Sequence, residues 1–514
     1  MNKKLYIEPA FLIILGVITS LSLPPFNFFI INFLTYSSLL IFLIKKSHEH
    51  KNKKLFFVYG WLFGFGYFLS NLYWISISLT FDQNFKFLIP LTIIAIPAFL
   101  GIFYGLITYF FLIFKSQKII RSFLIFSLIF GILEFIRGSI LTGFPWNLIA
   151  SSFSNQLEIL SIVSIIGTYG FNMLCISLFA SPVLLIIKRT KKSIVAFIIL
   201  IISFVLFYVN GFINKEKFNV LEKKKYDYKV RVISSNISLD RFYRDLDTLS
   251  VIQELIEISK PNANEKTIFV WPEGIIPNIL QDDLSKYSEV FKKKFTKNHL
   301  LIIGINSQVE KDGSKEFYNS LSVYDHKLNI LNSYNKINLV PFGEFLPFEN
   351  VLKIIGLKSL TNNYQSFSRG NRREVIKIKK QKFLLKILPL ICYEIIYTGK
   401  LFNDNDFDLI INISEDGWFG KSIGPKQHFV HSIFRAIESG KYVLRSSNNG
   451  ITAIINPLGN VEKKINFGQS DYIDLKEIKK IQPTIFSIHG NKVFGLLILL
   501  YIFLIFSFNK IKNE

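Results

Sequence analysis

The apolar residues of this chain are gathered into a few long runs, and that segregation limits what it can fold into. Residues 1–213 hold seven such stretches, near 7–23, 27–44, 55–79, 87–114, 122–141, 158–187 and 193–213. An eighth, near 492–509, contains VFGLLILLYIFLIFSF. A helix needs about 20 apolar residues to cross the hydrocarbon core of a bilayer, with about 17 as a lower limit. By that measure eight membrane spans are expected. Lys3 and Lys4 before the first run could mark a signal peptide. However, no clear small-residue cleavage site follows, and Pro24-Pro25-Phe26 leads straight into the next run, so a retained helix is expected. A chain with 50% hydrophobic residues and 16% aromatics is too apolar for an ordinary soluble protein and far too apolar for a disordered one.

Charge orients these spans. The formal net charge is +23, and its distribution is uneven. Lys3 and Lys4, the loops KKSHEHKNKK (45–54), KSQKIIR (115–121) and KRTKK (188–192), and Lys510 with Lys512 carry 16 basic residues, whereas the loops on the opposite side carry only Lys86 and Arg137. The positive-inside rule places the 16 in the cytoplasm. Both termini are then cytoplasmic, an even number of spans fits, and residues 214–491 lie outside. The expected organisation is a membrane domain over 1–213, an extracytoplasmic domain over 214–491, and a last span with a cytoplasmic tail over 492–514. The external segment holds 41 basic and 31 acidic residues to position 490, interspersed and without an aromatic-basic stripe. No nucleic-acid partner is expected; solvated faces and a mild preference for anionic headgroups account for the excess.

From about residue 226 the pattern changes. The β-rich runs YKVRVISSNI, TIFVW, HLLIIGIN, FYNSLSVYD, KFLLKILPLIC, FDLIINIS, YVLRSS and GITAIINP alternate with stretches of helix length at 243–259, 278–297, 394–402 and 425–440. This alternation predicts an α/β sandwich, and the continuous apolar strands suit sheets covered on both faces. The segment 345–370 is the longest irregular insertion, either an arm that touches the membrane or a loop packed on the domain.

Chemistry concentrates at Cys392. The chain has two cysteines and no CxxC pair, which excludes a disulfide scaffold and zinc or redox motifs of that type. Cys175 lies within a predicted span. Cys392 ends the apolar run LLKILPLI before Tyr393-Glu394, at an expected strand-to-helix junction where a helix N-terminus would lower a thiol pKa. Glu273 follows TIFVW in WPEGIIP (271–277), and Lys336 lies in YNKINLVPFGEFLP (334–347). Alone, Cys392 reads as a buried small hydrophobe, Glu273 as a helix-end charge and Lys336 as a surface lysine. Together, a carboxylate that takes a thiol proton and an ammonium that stabilises an oxyanion are what thiol-based acyl transfer requires.

These motifs resemble the nitrilase superfamily, and within it the bacterial apolipoprotein N-acyltransferases. The resemblance rests on WPExxxP, YxKxxLVPFGEFLP and CYE in this order. It extends through PPF (24–26), GFPWN (143–147), YNS (318–320), DGWFGKSIGPKQH (416–428) and RAIESGKYVLRSSNNGITAIINPLG (435–459). It implies a multi-pass helical membrane domain of about eight spans plus an extracytoplasmic nitrilase-like αββα sandwich, in the bacterial cytoplasmic (inner) membrane. The implied reaction is ping-pong, without cofactor or metal. Cys392 takes an acyl chain from a phospholipid donor and passes it to the α-amine of a diacylglyceryl-modified N-terminal cysteine on a prolipoprotein. Glu273 is then general base and acid, and Lys336 supports the oxyanion. Glu344 is a second carboxylate orienting Lys336 or substrate, Tyr393 and Glu394 line the pocket, and Trp418 and Phe419 lie near the site.

The chain departs from that family pattern in two places. Ser234-Ser235-Asn236-Ile237 stands where Gln-x-Asn-Ile is usual, with Phe242 in place of a Trp, and Glu415-Asp416 replaces Asn-Asp. His428 and His431 share a predicted helix face, but without a third ligand or HExxH they are expected to be structural. Glu134 and Arg137 form either a structural pair and topology anchor or a lipid-headgroup contact. A membrane-anchored amidase is disfavoured because one span would suffice as an anchor. A non-catalytic transporter or lipid-binding protein is disfavoured because all three positions are filled and no internal repeat is evident.

Overall fold

The computed structural model describes residues 4–242, 247–276, 278–311, 313–347, 366–380, 383–399, 401 and 406–510. The expectation for 345–370 lies largely outside these residues. Long helices occupy the expected stretches: α1 (Lys4–Ser20), α2 (Ile31–Glu49), α3 (Lys53–Leu72), α4 (Ile89–Phe114), α5 (Ile119–Arg137), α6 (Val163–Ala180) and α7 (Lys191–Asn219). A further helix, Lys492–Lys510, follows the α/β region. Five segments among the described residues are long and apolar enough to cross a membrane: Lys53–Thr80, Gln83–Phe114, Ile119–Arg137, Val163–Ile186 and Lys191–Asn219. Ile7–Ser20 and Lys492–Phe508 are shorter apolar helices.

The helices pack closely where side chains are small. A Cβ on Gly60 of α3 would sit 2.2 Å from the Tyr104 carbonyl oxygen of α4. Beside it, Thr108 Oγ1 donates across the pair to Phe56 O at 2.6 Å. This is the small-residue contact that apolar solvent favours, because lipid provides no hydrophobic drive between helices. Outward faces of α4, α7 and the C-terminal helix carry exposed Leu91, Ile94, Ile199, Val205, Leu206, Leu496 and Phe503. The stretch 158–187 is broken rather than one rod. A single turn at Leu157–Leu160 precedes α6, Gly167 inside α6 adopts φ 69°, and Val183–Ile186 is a separate turn. Only a glycine takes that φ without strain.

The α/β region is built on two six-stranded sheets. The first has the order β12-β1-β2-β3-β4-β5, from β1 (Lys224–Ser234), β2 (Thr267–Val270), β3 (His299–Lys311), β4 (Ser314–Asp325), β5 (Ile330–Asn335) and β12 (Asp471–Ile478). The second has the order β11-β10-β9-β8-β7-β6, from β6 (Ile376–Lys380), β7 (Phe383–Ile391), β8 (Leu409–Glu415), β9 (Tyr442–Asn448), β10 (Thr452–Ile455) and β11 (Val461–Ile465). Each sheet has three parallel central strands, β1-β2-β3 and β7-β8-β9, flanked by antiparallel ones. The facing sides interdigitate through Val230, Val232, Ile268, Leu300 and Ile302 against Leu385, Ile387, Leu409, Ile411 and Leu444.

Helix α8 (Thr248–Ser259) covers the outer face of the first sheet with Val251, Ile252 and Leu255. Its N-terminus is capped by the Asp247 carboxylate, which accepts from the Leu249 and Ser250 amides. Helix α9 (Gly424–Ser439) covers the second sheet, placing Ile433, Phe434 and Ile437 over Leu390, Ile410 and Val443. The architecture is therefore the expected αββα sandwich joined to a helical membrane region.

Two expected helices are shorter than the sequence suggests. Residues 278–297 hold a 3₁₀ stretch, Gln281–Tyr287, and a short helix, Ser288–Lys292; of 394–402, the described residues form only the end of the 3₁₀ turn Cys392–Ile396. Sequence also missed β5, β6, β11 and β12, whose exposed faces carry lysines and polar residues at sheet edges.

The two regions form one continuous core through α9. Nearly every α9 side chain is buried, although the helix is polar on one side, because that side meets the membrane region rather than water. Trp146 Nε1 donates to Gln427 Oε1 at 2.9 Å, and Gln427 Nε2 donates to Pro24 O and Asn71 Oδ1, each at 3.3 Å. Glu438 Oε1 accepts from the Thr168 amide at 2.9 Å and from Thr168 Oγ1 at 2.6 Å. Glu134 and Arg137 are a buried ion pair, and Arg137 Nη1 donates to Phe144 O at 2.5 Å and Trp146 O at 2.9 Å. Of the two sequence readings, the structural pair is the one the geometry takes; it holds the GFPWN loop against the sandwich.

Candidate active site

The C-terminal ends of parallel strands converge between the sheets, and three side chains expected from sequence meet there. Glu273 lies three residues beyond β2, Lys336 directly follows β5, and Cys392 directly follows β7. Lys336 is 1% exposed, and Glu273 and Cys392 are each 7% exposed. Lys336 Nζ donates to Glu273 Oε1 at 3.1 Å and to Glu344 Oε1 at 2.9 Å. Glu273 is held on its other oxygen by the Glu415 backbone amide at 2.9 Å, and Glu344 Oε2 accepts from the Val340 amide at 2.8 Å. Behind Glu273 the chain passes so close to β3 that a Cβ on Gly304 would lie 2.5 Å from Glu273 Cα. That contact seats the Glu273 backbone.

Cys392 adopts φ 49°, in the left-handed region that a residue with a Cβ enters at a cost. The turn it opens is a single 3₁₀ turn, so the expected α-helix N-terminus is absent. The expected lowering of the thiol pKa is absent too. Burial and the neighbouring Glu273 carboxylate push the Cys392 thiol well above its ordinary range, with Lys336 opposing. Burial alone would lower Lys336, but Glu273, Glu344 and Cys392 outweigh it and hold the ammonium well above its usual value. The resting site is therefore a neutral thiol beside a charged Lys336. A neutral thiol needs a base to become a nucleophile.

Sequence reasoning missed Asn319 on β4, although it lies within the quoted YNS string. Asn319 Nδ2 donates at 2.7 Å to both Glu273 Oε1 and Glu344 Oε1, joining the two carboxylates that flank Lys336. The available signal was its place in the YNS string that the family resemblance includes.

Tyr393 and Glu394, expected to line the pocket, are both held by buried hydrogen bonds. Tyr393 OH donates to Gly143 O of the membrane region at 3.1 Å. Glu394 is fully buried and accepts from Tyr334 OH (2.8 Å), the Ile337 and Asn338 amides (3.0 and 3.1 Å), Arg373 Nη2 (2.6 Å) and the Ile391 amide (2.9 Å). One carboxylate thus fastens the residues after Lys336 to the residue before Cys392. Trp418 stacks on Phe242 with centroids 5.4 Å apart and meets Phe81 edge-on at 5.9 Å. Phe419 packs on Trp74 at 4.7 Å and on His428 at 5.5 Å. Both belong to an aromatic seam between the two regions.

His428 Nδ1 and Arg445 Nη2 meet Asp416 Oδ1, each at 2.9 Å, and Ser414 Oγ donates to the same oxygen at 2.7 Å. Burial pushes the Asp416 carboxyl up, but Arg445 and His428 outweigh it and hold it well below the usual carboxylate range. His428 is thus engaged by a carboxylate, and His431 packs against Trp146 with centroids 5.1 Å apart.

A buried carboxylate–lysine–cysteine cluster at strand ends of an αββα sandwich defines a carbon–nitrogen hydrolase-type domain, here docked on a helical membrane region. Comparisons with known proteins agree. Residues 239–475 match the carbon-nitrogen hydrolase family model, and residues 15–181 match the apolipoprotein N-acyltransferase N-terminal domain. The apolipoprotein N-acyltransferase of Rickettsia prowazekii (strain Madrid E) is 34% identical over 509 residues, covering 98% of each chain. That of Rhizobium leguminosarum bv. trifolii (strain WSM2304) is 32% identical over 475 residues, covering 89% of this chain and 88% of the relative. Among solved structures, Saccharomyces cerevisiae Nit3, a nitrilase-superfamily member, matches 50% of this chain and 90% of its own, with 17% identity and a TM-score of 0.33. The chain belongs to the apolipoprotein N-acyltransferase family of the nitrilase superfamily.

Proposed function

We propose that the protein transfers an acyl chain from a phospholipid to the α-amine of the diacylglyceryl-modified N-terminal cysteine of a lipoprotein, through a thioester on Cys392. In the first half-reaction Glu273 takes the thiol proton and the sulfur attacks the ester carbonyl. Lys336 donates to the oxyanion, and Glu273 returns the proton to the departing lysophospholipid oxygen. In the second, the lipoprotein amine attacks the thioester carbonyl. Glu273 takes a proton from nitrogen, the C–S bond breaks, and the proton returns to sulfur. Glu344 and Asn319 orient Lys336 and Glu273, and Glu394 positions the segments bearing Lys336 and Cys392.

The observation that carries this reading is the union of a buried Glu273–Lys336–Cys392 cluster with a domain fastened to apolar helices through Tyr393, Gln427 and Glu438. A soluble substrate would need no such seam. The eight helices are read as eight spans of the bacterial cytoplasmic membrane, with both termini cytoplasmic and the sandwich outside, because the basic loops fall on one side.

The test is to incubate purified protein with a phospholipid carrying a labelled acyl chain. A hydroxylamine-sensitive adduct is expected in wild type and absent in Cys392→Ala. A wild-type protein that never acquires label removes acyl transfer.

A further inference from the structure

Glu415 departs from the Asn expected at its position, and the structure gives it a partner. Its carboxylate forms a buried ion pair with Arg241, the two side chains being 2% and 0% exposed. Glu415 Oε2 also accepts from Asn448 Nδ2 at 2.6 Å, and Oε1 accepts from the Gly417 amide at 2.8 Å. Arg241 reaches in three directions. Besides Glu415, its Nη1 donates to Ser238 O at 3.0 Å, and its Nε approaches Gly274 O at 3.4 Å, the residue directly after Glu273. Asn448 closes the arrangement, accepting from the Ile237 amide and donating to Ile237 O, both at 2.8 Å. Three segments are thereby tied together: the loop after β1, the turn bearing Glu273, and the end of β8. From that last segment the Glu415 amide donates to Glu273 Oε2.

We propose that the Arg241–Glu415 ion pair is a positioning device for the Glu273 carboxylate, fixing it from behind on the side opposite Lys336. The inference rests on the proposed role of Glu273 as general base. Arg241 and Glu415 touch neither Lys336 nor substrate in this role; they act through the Glu415 amide and the Gly274 carbonyl. The position of a base matters because a displacement of about 1 Å can cost about 100-fold in rate. A guanidinium suits the task better than an ammonium, since its planar fork serves several acceptors at fixed angles.

The experiment uses the full-length protein in detergent or liposomes with the labelled phospholipid. In Arg241→Met/Glu415→Gln the rate of adduct formation should fall about tenfold or more. The apparent KM for the lipid should stay within about twofold. Arg241→Lys keeps the charge pair but not the fork to Ser238 and Gly274, and should show the same loss of rate in smaller size, again at near-constant KM, while retaining the fold. A wild-type rate in Arg241→Lys, or in a folded double variant, would overturn the inference while leaving the acyl-transfer reading intact. Absence of adduct in wild type would instead remove the reading on which both depend.

Discussion

Glu273→Gln separates base catalysis from thiolate supply, because the two respond with opposite signs. In the native site Glu273 Oε1 accepts from Lys336 and Asn319, at 3.1 and 2.7 Å, while Oε2 accepts from the Glu415 amide at 2.9 Å. The amide keeps the shape but can accept on one side only, and it removes one of two anions beside Lys336. Burial is the first cause of the raised Cys392 pKa and the Glu273 charge is the second, with Lys336 opposing. Deleting that charge should bring the thiol pKa down. The thiolate fraction at neutral pH therefore rises. Alkylation by a small neutral haloacetamide should accelerate, with its pH midpoint displaced downward.

Acylation should do the reverse. Without a group to take the thiol proton and return it to the leaving oxygen, adduct formation should slow by about 10²–10⁴-fold, or about 3–5 kcal/mol at 1.36 kcal/mol per decade. The assay is parallel measurement of alkylation and hydroxylamine-sensitive acylation on the same preparation across pH. If both rates rise together, Glu273 acts only as a field on the thiol, and the base assignment is wrong.

The remaining expectations concern support and orientation. Glu394→Gln leaves Arg373 without its buried counter-charge and turns an N–H group toward one of the amides now bonded, so stability should fall by about 3–5 kcal/mol. Thermal unfolding in detergent measures the loss, and hydrogen exchange should show reduced protection at the Ile337, Asn338 and Ile391 amides. An unchanged melting temperature would show that Glu394 is not the tie described. Reporters fused after residue 213 and after residue 514 should read opposite sides of the membrane, and the same side for both would remove the eight-span orientation.

Much of the fold could be read without coordinates. Central strands such as HLLIIGIN and FDLIINIS are continuously apolar because both faces are covered, and that pattern survives in one dimension. The edge strands β5, β6, β11 and β12 do not show it. Their exposed positions hold Lys377, Lys379, Lys463 and Lys464, and pairing, not composition, makes them strands. The helix expected at 394–402 failed for a related reason. Glu394 is drawn inward by Arg373, Tyr334 and three amides, and the turn that carries it ends at Ile396.

The sequence by itself determined the division into apolar runs and an α/β segment. It also placed a carboxylate and a cysteine after separate strands and a lysine in a motif between them, because hydropathy, strand period and motif spacing are local properties. The tertiary structure decided what each group does to the others. It buried Cys392 beside Glu273, so that a thiol expected to be acidic is held neutral. It gave Tyr393 and Glu394 buried hydrogen-bond partners on either side of the site, and it joined Glu415 to Arg241 across 174 residues. Electrostatic coupling and hydrogen-bond satisfaction depend on distances through space in a low-dielectric interior, and distance along the chain does not encode them.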